Sequence, residues 1–308
     1  MTDPLRSSGP SRKASFPAPK PFNLPRTVLP LKGTLYRGQL RSVGGDIFKA
    51  ARTPDGVATI RLRHVGSKVE VEAWGRGAQW LIDTVPALLG FDDDVSGFVP
   101  AHPAMRDQWL RSKGARWGKT NRVIEALVPA IIGQKVTGKG AAQSLRALAR
   151  RYGESAPGPI EMHLLPEPET LAALPYYDYH PLGIEKKRAG AVRRVAARAV
   201  RLELLSTEPL EEGYRVLQAF EGVGPWTAAL VAGIALGDAD AVPVGDYHIP
   251  NTVAWALAGE ERGTDARMLE LLEPYRGHRG RVIRLLEASG IGAPAYGPRN
   301  PVRSIATS

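Results

Sequence analysis

Residues 217–228 read LQAFEGVGPWTA, and two glycines set around a single valine decide how this stretch folds. The apolar spacing before Gly222 is helical, and Pro225 suits the first turn of a second helix, where its missing N–H would have no partner anyway. Gly222-Val223-Gly224 then makes a very tight turn, with Val223 plugging between the two helices and the backbone N–H groups facing outward. Those N–H groups, with the positive end of the following helix, can hold a phosphodiester with no side chain in the way. Taken alone, the same residues also describe a glycine-terminated helix followed by another helix and no ligand.

Outward from this turn the chain reads as helices. Segments 103–112, 121–136, 139–152, 168–174, 185–205, 209–219, 225–236, 248–258, 265–273 and 279–288 have helical apolar spacing and Gly- or Pro-marked breaks. In 185–205, Val192, Val195, Ala196, Ala199 and Leu202 share one face, while most of the basic residues lie elsewhere. That charge fits a solvated face as well as a contact with a polyanion.

Before residue 100 the period changes from 3.6 to 2. Ile60 and Leu62 alternate with Arg61 and Arg63, and Val69, Val71 and Ala73 with Lys68, Glu70 and Glu72. These are antiparallel strands with one wet face, joined through His64-Val65-Gly66-Ser67, where Gly66 supplies the positive φ of a hairpin. A helix over Gln79–Leu89 packs on them, so the fold class is α+β: a small antiparallel sheet domain followed by a mostly all-α domain. The expected organisation is a disordered, basic, Pro-rich tail at 1–29, an α+β domain at 30–112, an all-α domain at 113–290 and a flexible tail at 291–308. The composition of 1–29 also has some likeness to a transit peptide.

The chain carries 41 Lys+Arg against 31 Asp+Glu, a net charge of +10, which points to a polyanionic partner without choosing among DNA, RNA and anionic lipid. It has no cysteine, which excludes disulfides, thiol nucleophiles, Cys-ligated zinc and iron–sulfur clusters. The six His residues (64, 102, 163, 180, 248, 278) show no metal-ligand spacing, so no metal and no organic cofactor are expected. No apolar run is long enough to span a bilayer. A cytoplasmic location, no membrane partner and a monomeric state are the expectations.

The turn and the residues after it resemble the helix-hairpin-helix DNA glycosylase superfamily, whose motif reads L-P-G-[IV]-G-x-[KW]-T-A with a catalytic Asp about twenty residues later. VPVGDYHIPN (242–251) supplies Val244, Asp246, His248 and Ile249 at or near the positions of that second element. Phe220 and Glu221 depart from the usual turn entry. LLGFDDD (88–94), EALVPAIIGQKVT (125–137) and LGIEKKRAGAV (182–192) resemble the alkylation-repair branch, the 3-methyladenine DNA glycosylase II family, which also has a small N-terminal sheet domain.

The resemblance implies a partner, double-stranded DNA carrying damaged bases, and a set of roles. Asp246 is the candidate catalytic carboxylate, stabilising oxocarbenium character at the sugar and orienting or deprotonating the attacking water; it also suits a plain helix cap. Trp226 stands where bifunctional relatives have a Schiff-base lysine, so a monofunctional enzyme is expected, with Trp226 lining the base pocket or packing in the core. Tyr275 and Leu230 fall at positions of the pocket wall, although Tyr275 equally suits half-buried packing. Gly222, Val223, Gly224 and Thr227 are the expected DNA-binding hairpin, with a monovalent cation a possible guest of its carbonyls as in relatives. Gln134 and Lys135 occupy the place of the wedge that fills the gap left by an everted base, or are a polar helix end. Three functions are consistent with these residues: excision of cationic alkylated purines, 3-methyladenine above all; excision of a neutral lesion such as hypoxanthine; and non-catalytic binding of bent or damaged DNA.

Overall fold

A computed structural model describes residues 10–33 and 36–294. Five strands, β1 (Ser11–Pro17), β2 (Leu40–Val43), β3 (Asp46–Thr53), β4 (Gly56–Val65) and β5 (Lys68–Gly75), form an antiparallel sheet in the order β1-β5-β4-β3-β2. The period-two pattern sets its register: Leu62 lies opposite both Ile47 and Val71, and Ile60 opposite Ala73, so the apolar residues share one buried face. The outer face carries cross-strand pairs such as Arg61–Glu72 at 2.9 Å. Gly66 turns the β4–β5 hairpin at φ +58°.

The first strand and the helix α1 (Leu24–Val28) correct the expectation of a disordered tail over 1–29. Ala14 and Phe16 of β1 pack against the core, and Leu24, Val28 and Leu31 are buried. The prolines mark element ends rather than disorder. Pro17 closes an edge strand, where a missing N–H is tolerated, and Pro25 sits in the first turn of α1 behind the Asn23 cap. Residues 1–9 of that expected tail, and 295–308 of the expected C-terminal tail, lie outside the described residues.

Helices α2 (Ala78–Asp83) and α3 (Val85–Leu88) follow the sheet, and α2 packs against β4 and β5. Then come α4 (Pro103–Arg111), α5 (Val123–Ile132) and α6 (Gly138–Tyr152), and a small hairpin of β6 (Glu154–Ser155) and β7 (His163–Leu164). That hairpin was not foreseen; Met162 and Leu164 cover Phe48 and Trp74 on the outer face of the sheet. The remainder is α7 (Pro168–Ala173), α8 (Tyr176–Tyr179), α9 (Lys186–Ala196), α10 (Ala199–Glu203), α11 (Leu210–Gln218), α12 (Pro225–Val231), α13 (Ile249–Ala258), α14 (Asp265–Leu272) and α15 (Arg279–Ser289).

All ten residues of α5 are buried, as its nearly all-apolar sequence demands. The expected single helix 185–205 breaks at Arg198, and the shorter α10 brings Glu203 to the start of α5. There its carboxylate accepts the N–H groups of Val123 (2.8 Å) and Ile124 (3.2 Å) and pairs with Arg122. A cap supplied from eighty residues away leaves no local signal.

One core joins the sheet to the central helices, and a second gathers α4, α13, α14 and α15. Helix α4 packs on α13 and α15, so 103–111, grouped with the sheet domain by sequence, sits with the C-terminal helices. Among the described residues, no helix is long and apolar enough to cross a membrane, and no group of three or more His, Cys, Asp or Glu side chains is placed to hold a metal.

Candidate active site

The two glycines of the turn between α11 and α12 play different parts. Gly222 has φ +90°, and a Cβ there would lie 2.8 Å from the Cβ of Ala191 on α9. At Gly224 nothing stands within 4 Å, so the backbone of this exposed residue is open to an approaching ligand. Val223 is buried and plugs the turn.

The neighbouring loop after α5 is bolted to this turn. Gln134 Nε2 donates to the Gly222 carbonyl and to Thr227 Oγ1, each at 2.8 Å. Two expectations therefore change. Thr227 is buried and serves Gln134 rather than facing a ligand, and the Gln134 amide is committed to the turn rather than free to insert into a duplex. Lys135 is exposed and held at φ +55°, a left-handed conformation unusual for a side chain of its size. Two of the hairpin carbonyls are already engaged: the Gly222 oxygen takes the Gln134 amide, and the Glu221 oxygen accepts the Arg194 guanidinium at 3.1 Å.

Helix α12 points from this turn toward a cleft of about 930 Å³ between the two cores, and Trp226, Leu230 and Asp246 all line it. Asp246 is half-buried. Its Oδ1 accepts the N–H groups of His248 (2.7 Å) and Ile249 (2.9 Å) at the start of α13, and its Oδ2 accepts the Trp226 indole N–H at 2.8 Å. The cap and the cleft position thus coexist, because the bonds that hold the carboxylate come from the helix end and from one cleft wall.

Tyr275 is the site residue that the fold does not bring here. It is buried in the C-terminal core, stacked on Phe98, with its hydroxyl accepting the His102 N–H at 3.0 Å and meeting His102 Nδ1 at 2.7 Å. Burial pushes its phenol above the ordinary value, and it is absent from the residues lining the cleft.

In its place stands a group that sequence reasoning missed. Spacing of three along α15 puts Arg281, Arg284 and Glu287 on the cleft. Arg281 is buried and donates twice to the buried Asp93, at 2.6 and 3.1 Å. Asp93 also accepts the Trp117 backbone N–H at 2.7 Å, and the Trp117 indole N–H reaches the Gly233 carbonyl at 2.9 Å. Gly233 lies in a π turn, Ala232–Leu236, that continues α12; such turns recur at functional sites. The half-buried Arg284 guanidinium lies 3.3 Å over the Trp117 ring. Desolvation pulls that guanidinium below its ordinary value, Arg281 adds to this, and Glu287 and Asp93 oppose it. Glu287, exposed on average, has its carboxyl pushed up by desolvation at the cleft and then by Asp246, against the pull of Arg284.

No family model matches the chain. It is 37% identical over 107 residues to a DNA-3-methyladenine glycosylase 2 of Escherichia coli, a match covering 34% of this chain and 38% of that protein. The chain therefore spans well under half the length of that curated relative. Among solved structures, a 3-methyladenine DNA glycosylase from Archaeoglobus fulgidus superposes with a TM-score of 0.76 at 18% identity, covering 90% of this chain and 98% of that one. An 8-oxoguanine glycosylase/lyase of Clostridium acetobutylicum, solved with double-stranded DNA, gives 0.66 at 15% identity over 86% and 90% of the two chains. Turn, carboxylate and sheet domain agree with these likenesses: the chain has the fold of these DNA glycosylases and, over about a third of its length, is similar in sequence to a DNA-3-methyladenine glycosylase 2.

Proposed function

We propose that this chain is a monofunctional DNA glycosylase that hydrolyses the N-glycosidic bond of alkylated purines in double-stranded DNA. The observation that carries the reading is the placement of Asp246, a carboxylate fixed by three N–H donors on a cleft wall beside an open glycine turn. Breaking the bond from C1′ to the base nitrogen sends the electron pair to the base and leaves positive charge on the sugar, which a fixed carboxylate stabilises without reorganising. Water then adds to C1′ and gives up a proton, toward Asp246 or solvent.

One feature supports release of the base without strand cleavage. Trp226 has no amine to attack C1′, and its indole N–H is spent on Asp246. The exposed Gly224 backbone and the net positive charge of the chain suit a phosphodiester backbone gripped without regard to sequence. Lys135, at the apex of its loop, is the side chain that we assign to the gap left by the everted base.

The test is duplex DNA treated with a methylating agent. The expected result is release of methylated purines and abasic sites that break only after alkali, with no borohydride-trapped adduct. Binding without any base release would make the chain a non-catalytic damage binder, and a trapped adduct would overturn monofunctionality.

A further inference from the structure

We infer that Arg284, held over the Trp117 ring in the cleft that Asp246 lines, reads an acceptor edge of the everted base and extends excision to bases that leave carrying negative charge. The inference rests on the glycosylase reading above and adds a specificity-determining residue to it.

Three observations carry it. First, the platform is rigid: Trp117 is buried and fixed at both its backbone and its indole N–H, and the Arg284 guanidinium lies 3.3 Å over its ring. Second, the charge is not spent. Arg281 is consumed by Asp93, whereas among the described residues Arg284 has no carboxylate within ion-pair distance, and its partner is an aromatic face. A half-buried guanidinium on the wall of a cavity is suited to a planar acceptor edge, because its N–H groups form a fixed fork. Third, Arg284 and Asp246 both line the same cleft.

The leaving group decides the chemistry. A cationic purine methylated on the ring departs as a neutral base and needs no donor. A neutral purine such as hypoxanthine departs with the bond's electron pair as an anion, delocalised onto its oxygen and ring nitrogens, until solvent protonates it. A guanidinium at those acceptors stabilises that anion, which a base departing neutral does not need. The Trp117 face, which would otherwise attract a cationic base, is already covered by Arg284.

The experiment compares single-turnover excision of hypoxanthine and of 7-methylguanine from otherwise identical duplexes by the full chain, by Arg284→Ala and by Arg284→Lys. We expect Arg284→Ala to slow hypoxanthine release at least tenfold while 7-methylguanine release changes less than threefold. Arg284→Lys should recover only part of the loss, because it keeps the charge and loses the plane. Affinity for an abasic-site duplex, where no base is present, should stay within twofold for both variants. Parallel loss on the two substrates, no loss on either, or wild-type protein releasing only the cationic base would each overturn the inference. Wild-type protein releasing neither base would instead sink the glycosylase reading.

Discussion

Trp226 donates its indole N–H to the Oδ2 of Asp246 at 2.8 Å, which ties the first turn of the helix after the glycine hairpin to the loop that enters α13. The two residues are twenty positions apart, and the π turn and loop between them bring them to one cleft wall. The hairpin and the carboxylate are therefore one mechanical unit.

That unit predicts a graded response. Asp246→Asn should lower base release by about 10²- to 10³-fold, the usual loss when a preorganised electrostatic group is removed. Its thermal stability should barely change, since Asn caps a helix about as well as Asp. Trp226→Phe keeps the ring and loses the donor, and should cost about tenfold in rate, or ~1.4 kcal/mol. Single-turnover kinetics on methylated duplex DNA measure both, and wild-type rates in either variant would refute the coupling.

The two hairpin glycines should respond differently to alanine. Gly222→Ala forces a Cβ into a left-handed backbone and against Ala191, so a loss of about 2 kcal/mol or more in folding stability is expected. Gly224→Ala meets open space and should unfold as wild type does, yet weaken DNA binding and flatten its salt dependence by about one phosphate contact. Denaturant melts and binding titrations at several salt concentrations separate the two outcomes.

Asp93 and Arg281, with side chains only 7% and 5% exposed, should be strongly coupled. Asp93→Asn leaves the Trp117 N–H an acceptor but strands a buried guanidinium, with an expected loss of about 3–5 kcal/mol. Adding Arg281→Met to Asp93→Asn should restore much of that, because it removes the orphaned charge. A double-mutant cycle by denaturant unfolding measures the coupling, and additive effects would argue against it.

The N-terminal segment supplies a fourth test. Leu24 is 1% exposed, so Leu24→Ala should cost about 2–5 kcal/mol and lower Tm by several degrees. A segment that did not fold would show no change in a thermal melt.

The outcome residue by residue shows where local sequence speaks. Gly66 and Gly222 both take the positive φ that their turns required, and the alternation through Ile60, Leu62, Val69 and Val71 set the sheet register. The prolines of the first thirty residues misled because composition was weighed over position: Ala14 and Phe16 alternate with Lys13 and Ser15, a short edge-strand pattern. Likeness to relatives offered Tyr275 to the pocket wall, but the packing that it also suited is what it takes here, against Phe98 and the His102 backbone. Arg284 had no signal of its own, because its partner Trp117 lies more than a hundred and sixty residues away and is fixed by Asp93 from yet another segment.

By itself the sequence determined the β4–β5 hairpin, most of the helices and the glycine turn, since each is written in spacing over a few neighbouring residues, while Asp246 was marked by likeness to a family motif. Only the tertiary structure decided which side chains share the cleft: it withdrew Tyr275, committed Gln134 and Thr227 to each other, and set Arg284 on Trp117 beside Asp246. Backbone periodicity is local, whereas a cavity is made by segments that meet only when the two cores pack.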